Sequence, residues 1–128
     1  MDYTQPWYHG SPFELTALRV GSTITQRRDL ARIFSHKPAI VSLQDDGRIK
    51  HSGVLPGYLY VIDEEVLLED VEAHPRTTMG PGDEWLTHRE LRVRFLGVVE
   101  PESDEMLTEA ELEDLRRHIA ARRLYDIQ

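Results

Sequence analysis

The clearest apolar run is Gly57-Tyr58-Leu59-Tyr60-Val61-Ile62-Asp63. It is aromatic and β-branched nearly throughout, which predicts a strand covered on both faces. Residues 91–99 alternate apolar and basic side chains before turning wholly apolar, and predict a closing strand. Near the start, Trp7-Tyr8 fits a buried strand that runs into His9-Gly10, after which Ser11-Pro12 turns the chain. Residues 13–20 read as a connector with apolar positions at Phe13, Leu15, Leu18 and Val20. Residues 22–25 form a short β-branched strand. Helical spacing of Leu30, Ile33 and Phe34 predicts a helix from Thr25 or Gln26 to Lys37, with those three residues facing the core and Pro38 ending it. Asp45-Asp46-Gly47 is a turn signal between strands expected at 39–43 and 48–51. Residues 64–83 read as mostly loop. Thr108-Glu109-Ala110-Glu111 is a capping box opening a terminal helix, about 108–125, that buries Leu112, Leu115 and Ile119.

The order is strand, connector, strand, helix, several strands, terminal helix. Short turns between strands imply largely antiparallel pairing and an α+β class. The 128 residues amount to one expected domain, 1–128, with a core over about 7–100. No run of apolar residues is long enough to span a membrane. Residues 1–5 have neither a basic region nor an apolar core, so no signal peptide is expected. Cysteine is absent, which removes disulfide and thiolate chemistry and fits a cytoplasmic setting. The net charge of -8 argues against general affinity for nucleic-acid backbones, though not against a small anion held by a few local arginines. The six histidines lack paired ligand spacing, so no metal is expected, and no Walker, Rossmann or G-x-S-x-G pattern is present.

Two places remain for chemistry. His9 presents two ring nitrogens, and Gly10 beside it lets a flat ligand approach the backbone. Glu84 follows a loop rich in glycine, proline and threonine and opens a strand with Trp85. A carboxylate at a strand mouth can accept a sugar hydroxyl and stabilise positive charge developing on a ribose.

His9-Gly10-Ser11 on a first strand resembles the His-Gly-Ser/Thr signature of ADP-ribosyltransferases of the diphtheria-toxin and poly(ADP-ribose) polymerase type. Ser22-Thr23-Ile24-Thr25, followed by Asp29-Leu30-Ala31-Arg32-Ile33-Phe34, is similar to that family's strand-helix unit. Glu84-Trp85-Leu86-Thr87 stands where the family has its strand-mouth glutamate. Order, spacing and length also resemble the small rifampin-type ADP-ribosyltransferases, and the resemblance covers most of residues 7–100. It implies a mostly antiparallel split-sheet core with NAD as substrate and no metal. His9 and Glu84 become the implied catalytic pair. Tyr8, His9, Gly10, Ser11, Thr23, Thr25, Arg27 and Phe34 become the implied NAD-binding set, with Arg27 or Arg28 meeting the pyrophosphate. The ADP-ribose acceptor is left open: a small molecule, a protein or a nucleic-acid end.

The chain departs from the family in two respects. The tyrosine that stacks on nicotinamide is replaced by Thr23 or Ile24, or in another register by Ile33, leaving Tyr58, Tyr60 and Trp85 as rings that could come from elsewhere. Rifampin-type enzymes take their acid soon after the Tyr-x-Val strand, which makes Asp70 the alternative to Glu84. Two other classes compete: a non-catalytic NAD or ADP-ribose binding module of the same fold, and a regulatory domain whose acidic terminal helix docks a basic partner.

Overall fold

A central strand organises the architecture of this computed structural model, which describes residues 2–77 and 79–127, with the side chains of 119 and 121–127 outside the description. In chain order the elements are β1 (Tyr8–Ser11), β2 (Ala17–Leu18), β3 (Thr23–Ile24), α1 (Arg28–Phe34), β4 (Val41–Leu43), β5 (Ile49–His51), β6 (Gly57–Ile62), β7 (Val71–Ala73), β8 (Trp85–Thr87), β9 (Leu91–Val99) and α2 (Glu109–Ile127). Short 3-10 turns at Leu68–Asp70 and Ser103–Glu105 precede β7 and α2. The class is α+β, and every strand ladder is antiparallel.

β6 pairs with β1 on one side and β9 on the other, and β2 extends the sheet to the order β1-β6-β9-β2. A second sheet runs β3-β8-β7, and β4-β5 is a separate hairpin. The two larger sheets meet at one bridge, where Tyr8 and Thr25 exchange backbone hydrogen bonds of 2.7 and 3.0 Å. Trp7, Leu18, Ile62 and Leu91 from the first sheet close a core with Ile24 and Val71 from the second. Leu30 and Ile33 of α1 form a second core with Ile49 and Met79.

α1 lies unusually close to the strands beneath it. Ala31 on its inner face and Ser35 just past its end are both buried. A Cβ built on Gly10 would stand 1.8 Å from the Ala31 carbonyl oxygen, and one built on Gly57 would stand 1.9 Å from Ser35 Oγ. Glycine at these two positions removes the atoms that would hold the helix off the sheet.

Some expectations need correction. α1 is shorter than its periodicity implies, Arg28–Phe34. The 13–20 connector contains β2, which edges β9. β7 lies inside the stretch read as loop, paired with β8. The capping box forms, with Glu111 N–H donating to Thr108 Oγ1 and Thr108 N–H donating to Glu111 Oε1, each at 3.1 Å. Beyond it, however, Leu112 and Leu115 are only half-buried; the side chain of Ile119 lies outside the described residues.

His36 and His51 are both fully buried and stack at 5.6 Å. His36 Nδ1 bonds the Leu55 carbonyl and His51 Nδ1 accepts the Gly53 N–H, while both Nε2 atoms lack hydrogen-bond partners among the described residues. His51 Nε2 comes no nearer than 3.6 Å to Glu105, whose carboxylate is claimed by Arg32. Burial, then the neighbouring His36 and Arg32, lower the His51 pKa from 6.5 to about 4. Burial shifts His36 the same way, opposed by its Leu55 hydrogen bond and by Glu100, with Arg32 lowering it further. The unfolded chain therefore binds more protons than the folded one below pH 6.5. Stability is complete above that value and is lost as the pH falls toward 4. His51 alone should cost about 2 kcal/mol at about pH 5. Urea unfolding at about pH 7.5 and about pH 5 checks this; equal midpoints would refute it.

Candidate functional site

Where β3 parts from β1, beyond the Tyr8–Thr25 bridge, a cleft opens. The ladder to β6 uses the backbone of Trp7, His9 and Ser11, as the Ile62 N–H to Trp7 carbonyl bond of 2.9 Å shows. Alternation then turns the N–H and C=O of Gly10 the other way, toward the cleft. No strand meets them there among the described residues. The edge thus presents one donor and one acceptor from a single residue, a geometry that suits a primary amide.

The cavity holds about 310 Å³, at the low end of small-molecule sites. Tyr8, His9, Gly10, Thr23 and Thr25 line it from the two diverging strands, and Phe34 lines it from α1. Glu84, from the loop before β8, lines it too, so the early histidine and the late acid share one cleft.

His9 Nδ1 lies 2.7 Å from the Thr23 carbonyl oxygen, which can only accept. The ring proton therefore sits on Nδ1, and Nε2 is left as an acceptor. Burial lowers the His9 pKa, partly offset by the Thr23 bond, so the ring is neutral near pH 7. Glu84 is half-buried, and its Oε1 accepts the Thr77 hydroxyl at 2.8 Å. Its backbone is also fixed, because its carbonyl accepts the His74 N–H at 2.9 Å. Next to it, Asp83 closes the loop on the Gly80 N–H, and the Trp85 indole donates to the Gly82 carbonyl.

Other expected site residues lie elsewhere. Ser11 is buried, and its hydroxyl accepts the Phe13 N–H, shaping the turn after β1. Arg27 does not line the cleft: its guanidinium is held by Asp29 at 2.7 Å and by Asp83 at 3.2 Å. It ties the loop carrying Glu84 to the start of α1, a positioning role in place of an anion-binding one. Arg28 rests over the Tyr8 ring, 5.8 Å from its centroid. Asp70 is 7% exposed and bound to Arg89 at 2.9 Å, with the Leu67 N–H on its other oxygen. Arg89 holds Glu64 as well, so this acid belongs to a clasp around the 3-10 turn before β7, away from the cleft. Gly10 also departs from its reading as ligand clearance, since the space a Cβ would take is filled by α1.

The rings at the cleft are Tyr8 and Phe34. Tyr58 and Tyr60 pack on Phe95 instead, and Trp85 packs on Tyr3 and Trp7. Sequence reading missed Lys37, Pro38 and Val41, which also line the cleft. The Lys37-Pro38 stop was visible as a helix end, and nothing local marked it as a wall. Among the described residues, no group of three or more His, Asp or Glu is placed to hold a metal, and no helix is long and apolar enough to cross a membrane. No family model matches the chain, and neither a curated relative nor a solved structure matches it.

Proposed function

We propose that the cleft binds NAD and that the protein transfers ADP-ribose from it to an acceptor, as an ADP-ribosyltransferase-type split-sheet domain. The observation that carries this reading is the convergence of His9, Glu84 and the unpaired backbone of Gly10 on one cavity. Gly10 N–H and C=O meet the carboxamide of nicotinamide. Neutral His9 accepts a ribose hydroxyl at Nε2. The cavity has room for the nicotinamide-ribose half, and the remainder lies along its open rim.

Glu84 faces the ribose as the bond from its anomeric carbon to nicotinamide breaks and the electron pair leaves with the ring nitrogen. The carboxylate stabilises the oxocarbenium-like charge that develops. An acceptor hydroxyl or amine then attacks that carbon and gives up its proton to a base. Acceptor identity does not follow from the cleft.

Purified protein incubated with NAD is expected to release nicotinamide, faster when an acceptor is present. Failure to bind NAD at all would overturn the reading. NAD binding without nicotinamide release would favour the second one, a non-catalytic NAD or ADP-ribose binding module. The missing stacking tyrosine, with Thr23 or Ile24 in its place, is the observation on that side.

A further inference from the structure

Lys37 is the one non-glycine residue with positive φ among the described residues, at 52°. It follows the end of α1, where its N–H donates to the Phe34 carbonyl at 3.1 Å and Pro38 blocks continuation. A helix stop of this kind favours glycine, because an L side chain is disfavoured in the left-handed region. The backbone therefore does not account for a lysine here. The side chain is exposed, lines the cleft, and forms no ion pair among the described residues. The two arginines at the other end of α1 are committed: Arg27 to Asp29 and Asp83, and Arg28 to the face of Tyr8.

Glu84 adjoins Asp83, which is tied to Arg27 at the start of α1, while Lys37 stands just past its end. A seven-residue helix is about 10 Å long. The segments that carry Glu84 and Lys37 thus approach the cleft from the two ends of α1.

We infer that Lys37 is a specificity-determining residue of the cleft: it recognises the pyrophosphate of the ligand, so that the site prefers phosphate-bearing dinucleotides over the corresponding nucleoside. This rests on the NAD reading above. An ammonium supplies a point charge and three donors for phosphate oxygens.

Isothermal titration of the full chain with NAD and with nicotinamide riboside, which has no phosphate, tests it. Lys37→Gly should bind NAD about tenfold or more weakly, since a charge-assisted contact is lost. The same variant should hold nicotinamide riboside within about twofold and melt no lower than the parent, because the left-handed backbone is relieved. Lys37→Gln should lose NAD affinity similarly, and Lys37→Arg should retain most of it. Unchanged NAD affinity in Lys37→Gly and Lys37→Gln, with the parent binding NAD, would overturn the role of Lys37 and leave the NAD reading standing. Equal losses for both ligands would also overturn it. A parent protein that binds neither ligand would overturn both proposals together.

Discussion

Glu84→Gln should lower nicotinamide release by about 10²–10³-fold while NAD affinity stays within about threefold. The substitution is nearly isosteric. The glutamine carbonyl can still accept the Thr77 hydroxyl that now meets Glu84 Oε1 at 2.8 Å, so the loop keeps its anchor. On the proposed transfer reaction, what disappears is the negative charge facing a carbon that becomes positive only as the glycosidic bond breaks. An interaction made chiefly in the transition state lowers turnover without weakening ground-state binding. Equal losses of turnover and affinity, or loss of neither, would remove Glu84 from that role. Asp70→Asn serves as the contrast. Asp70 is buried in a clasp with Arg89, so its neutralisation should act on stability and leave the chemistry of the folded fraction intact. The reverse pattern, with Asp70 controlling turnover in a stable protein, would move the acid out of the cleft altogether.

Those two acids also mark what local sequence can and cannot reveal. β6 and β9 are long enough for their apolar patterns to speak, and the β4–β5 hairpin is announced by Asp45-Asp46-Gly47. The buried face of α1 at Leu30 and Ile33 follows from spacing alone. β7 is different. It has three residues, of which only Val71 is buried, so no period can be read; it is a strand because β8 lies beside it. β2, with two residues, owes its strand character to β9 in the same way. In the cleft, His9 and Glu84 were legible because each stands at a strand beside glycine-rich turns. Arg27 was misread because a basic residue at a helix start looks free until Asp83, far away in sequence, is folded onto it. Lys37 was missed for the converse reason: its neighbours mark a helix end, and only the packing of α1 on β1 turns that end into a cleft wall.

Gly10→Ala separates two roles that one glycine can serve. If the missing Cβ exists to admit a ligand, alanine should spare the unliganded fold and affect binding alone. The structure predicts otherwise. The new methyl would lie 1.8 Å from the Ala31 carbonyl oxygen and 2.8 Å from the Ser35 backbone nitrogen, and these are the two ends of the hydrogen bond that closes α1. Both are backbone atoms, so no side-chain rotation relieves the overlap. α1 must move away from β1, and Leu30 and Ile33 must move with it out of the second core. A cost of about 3 kcal/mol or more is expected, with the melting temperature of the unliganded protein falling by roughly 10 °C or more. That is a large share of the ~5–15 kcal/mol that holds an ordinary domain together. Calorimetry without ligand decides the matter. A melting temperature equal to the parent's would mean that the helix yields freely, and that the glycine is kept for the ligand's approach.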